Sequence, residues 1–209
     1  LAVGYFFGRA FYAETIFSKV IKQVNGGEGI KAYELSNKAI QTNYYSDRYH
    51  LLSSGINLAF AENIAKKEKL EDSDKETISK LIQQSIAEGK ATVSVNPTKS
   101  SNWDALSSIY QTIIAFAKGS DQFAIQSLSQ AISLEPTNPL LRVKLGGLYY
   151  SLKDYDSAIE SFKLAILAKP DLANSHYNLA IAYRENNQID KAKEQMEIVL
   201  KLVEPNSKD

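Results

Sequence analysis

Small side chains recur in this chain at fixed distances from large ones, and the pattern repeats every 34 residues. In Asp154–Pro170, DYDSAIESFKLAILAKP, Ala158 stands four residues before Phe162, Ala165 follows three after it, and Pro170 closes the segment. Moving 34 residues forward gives Ala192, Met196 and Val199, and moving 34 back gives Ala124, Leu128 and Ala131. Pro136 and Pro170 are also 34 apart, and Pro205 comes after a further 35. Spacings of three and four place residues on one face of an α-helix. Two helices approach closely only where one presents small side chains and the other large ones. One helix pair cannot bury its apolar face alone, so a repeat of this length requires neighbouring pairs to stack into a continuous core.

A second pattern precedes each of these segments. Leu145-Gly146-x-x-Tyr149 comes before the quoted stretch and Leu179-Ala180-x-x-Tyr183 before the next. Trp103-x-x-Leu106-Ser107-x-x-Tyr110 and Tyr49-x-x-Leu52-Ser53-x-x-Ile56 stand earlier. Together these residues resemble the tetratricopeptide repeat, a helix–turn–helix unit with the pattern W-x2-L-G-x2-Y…A-x3-F…P. The match is close over Pro139–Asn206 and interrupted over Ser100–Asn138, where five extra residues fall within TIIAFAKGSDQ and predict a lengthened first helix. Before Ser100 it degrades. Ser85, Gly89 and Thr92 take the small–large–small slots of one divergent unit, and Ala32, Ser36 and Ala39, with Tyr44 at the proline slot, those of another. The first helix of that enlarged unit is predicted over Asp47–Lys69, with a capping box from Ser73 to Glu76 starting the second. Helix one is predicted over Gly4–Val24, stopped by Asn25-Gly26-Gly27.

The resemblance implies an all-α fold, a right-handed superhelical solenoid of about five hairpins over 1–45, 46–99, 100–138, 139–172 and 173–209. It further implies a concave face lined by the first helices, where family members bind a peptide or protein segment. Helical phase nominates residues one step past the packing slots: Asp104, Ser108 and Gln111; Val143, Lys144, Gly147 and Tyr150; and Tyr177, Asn178, Ile181 and Arg184. Some family members clamp a peptide carboxylate with lysine, asparagine and arginine on successive first helices. Val143 and Gly147 depart from that set and only Asn178 fits it, so chaperone-tail binding is not expected. Tyr44-Tyr45 and Tyr149-Tyr150 are expected to pack one ring inside and leave the other out.

Composition narrows the chemistry. The 24 basic and 24 acidic residues divide as 13 and 11 through Ser100 and 11 and 13 after it, so neither half has the cationic excess that nucleic-acid backbones demand. There is no cysteine. His50 and His176, the two histidines, have no second ligand at zinc-binding spacing. His176 falls where the family often has tryptophan and is expected to be partly packed, and His50 to turn towards the groove. No serine sits in G-x-S-x-G, and GGEG at 26–29 lacks the G-K-[ST] ending of a phosphate loop. The expectation is a non-catalytic protein-binding scaffold without cofactor or metal.

The start of the chain carries a separate signal. LAVGYFF is uncharged and far shorter than the roughly 20 apolar residues that span a bilayer. Two readings stay open: a helix start packing on its neighbours, or the end of a membrane helix tethering the repeats. The stretch YFFGRAFYAETIFSKV resembles the junction after the last membrane helix of multipass O-antigen ligase or polymerase-like proteins that carry such repeats. That resemblance implies a tethered appendage outside the cytoplasm, against a cytoplasmic scaffold otherwise. At the other end, an uncapped last helix is expected to favour self-association. Because Phe162 is assigned to the helix interface, Phe162→Ala should lower unfolding free energy by about 3 kcal/mol, read from the shift of a denaturant midpoint.

Overall fold

The computed structural model describes residues 2–115 and 117–204, with side chains given for Tyr5 and from Phe7 onward. Pro205, Asn206 and Phe116, which the sequence pattern uses, lie outside the described residues. Within them the chain is helical, with turns between helices and no strand. Two compact units form, 1–117 and 118–209. Their boundary falls inside 100–138, the stretch that the sequence pattern treats as one repeat.

The first unit holds α1 (Ala2–Asn25), α2 (Gly29–Thr42), α3 (Asp47–Ala65), α4 (Asp72–Val95) and α5 (Ser100–Thr112). α1 ends at Asn25 and the chain reverses through Gly27, whose φ of 74° suits a residue without Cβ. α1 pairs with α2 and α3 with α4, while α2 packs on α3 and α4 on α5. Ala13, Ile16 and Phe17 of α1 meet Ala39 of α2 and Tyr49 of α3 in one buried cluster. The Tyr49 ring stacks on Phe17 at 4.7 Å and its hydroxyl donates to Glu14 at 2.8 Å. Burial, reinforced by that carboxylate, pushes the Tyr49 pKa up to about 12. At the start of α3, Asp47 accepts hydrogen bonds from Lys99 and Asn102, both at 2.9 Å.

The second unit holds α6 (Ser120–Leu134), α7 (Pro139–Ser151), α8 (Tyr155–Ala168), α9 (Ala173–Glu185) and α10 (Ile189–Val203). Asn138 caps α7 ahead of Pro139 by accepting from the Leu140 amide at 3.0 Å, and Asp154 caps α8 through Ser157 at 3.1 Å. α8 lies between α7 and α9, and its Ala158, Phe162 and Ala165 are buried. α10 packs chiefly on α9. Its Ala192, Met196 and Val199 are therefore only half-buried, and Ile189, Leu200 and Val203 stay exposed.

Several local expectations are corrected. α5 has 13 residues, the same as α7 and α9, so the extra residues sit in the connection 113–119 and not in the helix. Thr112, Ile113 and Ile114 are β-branched, and the turn tightens there to i→i−3 bonds from Ile113 and Ile114. α3 stops at Ala65, four residues short of Lys69. α4 is boxed by Glu71 and Asp74 instead of Ser73 and Glu76; the shorter α3 moves the cap upstream, and Lys67 holds Asp74 at 2.7 Å. Tyr44 and Tyr45 are both exposed, and Tyr149 and Tyr150 are both half-buried, so neither pair divides inside from out.

His50 does not face a groove; it is 1% exposed. Its Nε2 donates to the Tyr44 carbonyl at 2.7 Å and its Nδ1 meets the Glu88 carboxylate of α4. His176 repeats the arrangement, with Nε2 on Pro170 O at 2.9 Å and Nδ1 on Gln195 Oε1 of α10 at 2.8 Å. Trp103 Nε1 reaches Pro97 O at 2.7 Å and an Arg142 guanidinium nitrogen reaches Pro136 O at 3.0 Å. In all four cases the donor lies six residues beyond the carbonyl it ties down.

Adjacent glycines on α7 separate packing from propensity. A Cβ added to Gly146 would lie 2.5 Å from the Phe162 ring, whereas one added to Gly147 would meet nothing within 4 Å. Gly146→Ala should destabilise by about 1–3 kcal/mol through overpacking, and Gly147→Ala should stabilise by up to about 1 kcal/mol through helix propensity, both read by chemical denaturation. His50 makes stability depend on pH. Burial alone would lower its pKa, but the bonds to Glu88 and the Tyr44 carbonyl and the charges of Glu88 and Asp47 raise it overall. Stability from this group is then fully present below the unfolded histidine pKa and is lost as pH rises through the higher folded value. Thermal melts taken upward from pH 6 should show this loss in the native chain, and His50→Gln should flatten it.

Candidate binding face

In the second unit, α7 and α9 touch, and both carry nominated residues. Val143 and Tyr150 of α7 lean on the buried cluster of Ala158, Ile159, Phe162, Leu179, Ala182 and Tyr183, so each is half core and half surface. Tyr150 also meets the Tyr155 ring at 5.6 Å. Tyr177 of α9 is 47% exposed. A Cβ on Gly147 of α7 would meet only open space, and Lys144 is exposed.

Arg184, the next-to-last residue of α9, is held by its neighbour Glu185 through contacts of 2.8 and 3.1 Å. That bond raises its pKa, and the charge of Glu185 and the phenol groups of Tyr150 and Tyr177 add to the shift. Tyr150 and Tyr177 each lie within electrostatic reach of Arg184. Asn178 is half-buried and donates to Asn174 O at 2.7 Å and Asn174 Oδ1 at 3.0 Å, which leaves its amide committed along its own helix. Ile181 is half-buried.

In the first unit, α5 carries Asp104, Ser108 and Gln111. Asp104 is half-buried, Ser108 is exposed with its hydroxyl on Asp104 O at 3.1 Å, and Gln111 donates to Ser107 Oγ at 3.1 Å. Among the described residues no histidine and carboxylate side chains gather in threes to hold a metal ion. No helix there is long and apolar enough to cross a membrane.

Sequence reasoning missed two surface features. The far halves of α3 and α4, helices of 19 and 24 residues, border a groove of about 640 Å³ lined by Leu58, Ala61, Ile78, Ile82, Ile86 and Ile113. The i, i+4, i+8 run of isoleucines on α4 was the available signal. The other feature is at the start of α1, where Arg9 donates to the last carbonyls of α2, Thr42 O at 2.6 Å and Gln41 O at 3.0 Å. The pocket beside it is lined by Arg9, Ala10, Thr42, Asn43, Tyr44 and Tyr45.

Comparison with known proteins bears on the fold. Family models described as TPR repeat and as tetratricopeptide repeat match residues 146–187 and 173–202. No curated protein matches the sequence. Among solved structures, a MamA protein is 19% identical with a TM-score of 0.68, covering 91% of each chain. A thermophilic TPR protein of Thermus thermophilus, TTC0263, is 18% identical with a TM-score of 0.57 and 93% coverage of each chain. YrrB, described as a TPR protein with an unusual peptide-binding site, is 12% identical with a TM-score of 0.61, covering 91% of this chain and 86% of its own. Residues 146–202 are therefore tetratricopeptide repeats, and over 91% of its length the chain has the fold of a tetratricopeptide-repeat solenoid protein.

Proposed function

We propose that the chain is a non-catalytic scaffold that holds a peptide or protein segment against its first helices. The observation that carries this reading is the exposed ring of Tyr177 on α9 and the half-buried ring of Tyr150 on α7, each within electrostatic reach of Arg184, with the backbone at Gly147 of α7 open. Aromatic rings and arginine are the side chains most often found to anchor a bound segment, and a glycine among them lets a peptide backbone approach α7. A ligand carboxylate near the apolar anchor would have to exchange with Glu185 for the Arg184 guanidinium. The likeness to YrrB supports the class of ligand, a peptide, without assigning its residues. We extend the reading to the whole chain as five hairpins divided at 45/46, 99/100, 138/139 and 172/173, with Asp104, Ser108 and Gln111 as a separate set on α5 of the first unit.

A second reading makes the repeats an appendage of a multipass membrane glycan ligase or polymerase-like enzyme, positioning that enzyme or its acceptor. One observation favours it, the exposed aromatic start of α1. The full-length gene decides it, by the presence or absence of membrane spans before Leu1.

For the first reading, peptides selected on the intact chain by display should lose at least tenfold in affinity for Tyr177→Ala, as expected when an aromatic anchor is removed, and should also weaken with Arg184→Ala. Both side chains are exposed, so the fold tolerates the changes, as thermal melts will register. Selected peptides that bind the two variants as tightly as the native chain place the site elsewhere.

A further inference from the structure

The start of α1 carries a group of exposed rings. Arg9 marks where α2 stops, because it caps the carbonyls of Gln41 and Thr42. The two turns of α1 before Arg9 therefore extend beyond their partner helix. A Cβ added to Gly8 would meet nothing within 4 Å. Tyr5 is 64% exposed, Phe7 and Phe11 are each 74% exposed and Tyr12 is 51% exposed.

The angular arrangement of these rings decides what they suit. At about 100° per residue, Tyr5 and Tyr12 lie on one side of the helix, and Phe7 and Phe11 on another about 130° away. The Phe pair lies about 150° from the core face formed by Ala13, Ile16, Phe17 and Val20. A single helix or peptide docking on α1 covers one stripe and would leave the other pair in water. A helix apolar all round is matched by an apolar medium.

The charges around it agree. The run through Gly8 is uncharged, and Arg9 is its first charge. The Lys38 ammonium lies 5.9 Å from the centre of the Tyr12 ring. The Arg48 guanidinium lies 4.9 Å from the centre of the Phe17 ring. The first acidic side chain on α1, Glu14, is taken by the Tyr49 hydroxyl at 2.8 Å and by Arg48 at 3.4 Å. Aromatic rings followed by lysine and arginine are the arrangement found where protein meets lipid headgroups, with the rings at the interface and the cations against anionic phosphate.

We propose that the first turns of α1 insert into the surface of a lipid bilayer, with Tyr5, Phe7 and Phe11 in the interfacial zone and Lys38 against anionic headgroups. The contact shares its starting observation with the appendage reading but needs no attached enzyme, and the binding face on α7 and α9 stands whether or not it forms. The test is co-sedimentation of the full chain with vesicles of phosphatidylcholine alone and of phosphatidylcholine mixed with phosphatidylglycerol. The chain should pellet with both and more completely with the anionic mixture. Phe7→Ser with Phe11→Ser should lower partitioning at least tenfold on both while the thermal melt stays unchanged, because neither ring is buried. Lys38→Gln should reduce only the excess seen with anionic lipid. A chain that stays in the supernatant, or a double variant that partitions as the native chain does, overturns the proposal. So does self-association without lipid binding that the double variant abolishes, which would make the patch a protein interface.

Discussion

The ring of Phe162 lies directly on the backbone of Gly146, so close that not even a methyl group fits between them. This contact sets how near α7 and α8 can come. With that separation fixed, Ala158 and Ala165 are buried and α9 packs on α8 as well. The same device operates in the first unit with the partners exchanged. There Gly89 of α4 lies under Leu106 and Ile109 of α5, and the small side chains of Ser54 and Ser85 join α3 to α4 through a hydroxyl contact of 3.0 Å. Where a helix supplies nothing small, the neighbour has to stand off; where it does, the interface closes to the density of a protein interior.

The turns obey a looser rule. Each second helix stops before the next first helix begins, and the carbonyl in the stop needs a donor. His50, Trp103, Arg142 and His176 all supply it from six residues downstream. An imidazole, an indole and a guanidinium have little in common except an N–H at the right reach. The requirement is therefore on geometry and not on residue type, which explains how the early repeats drift from the family pattern while keeping the hairpins. It also explains why Tyr44 can take a slot that proline occupies later: the carbonyl does the work, and proline carries the same carbonyl.

Legibility follows that division. The small slots could be read from sequence because overpacking penalises a large residue at a close helix interface, so the spacing is kept from Ala32 to Ala165 even where Ser36 or Gly89 stands in the large slot. Donor identity at the turns is free to vary, and so the burial of His50 could not be read; its neighbour Glu88 lies 38 residues away. The inserted residues between α5 and α6 were visible, but their placement in the connection depended on a run of β-branched residues that periodicity does not weigh. On the candidate face, helical phase identified surface positions such as Tyr177 and Lys144. It could not tell that Tyr150 and Val143 serve the core as well, or that Asn178 is engaged by Asn174. Those facts arise from side chains meeting across helices, which one-dimensional phase does not contain.

Exposed apolar residues at the two ends of the chain have different physical meanings. On α10, three of the four exposed large apolar residues, Ile189, Leu200 and Val203, fall within about 60° of one another, a stripe of the kind one further helix covers. α1 presents rings on two widely separated sides, and no single neighbour covers both. The same hydrophobic effect acts at each end, proportional to apolar area and indifferent to direction. Angular distribution is what separates a surface suited to one more helix from one suited to a surrounding medium. Repeat proteins bury the sides of their helices against neighbours in the stack, so a helix that runs past its partner keeps its rings in contact with whatever lies beyond the repeats.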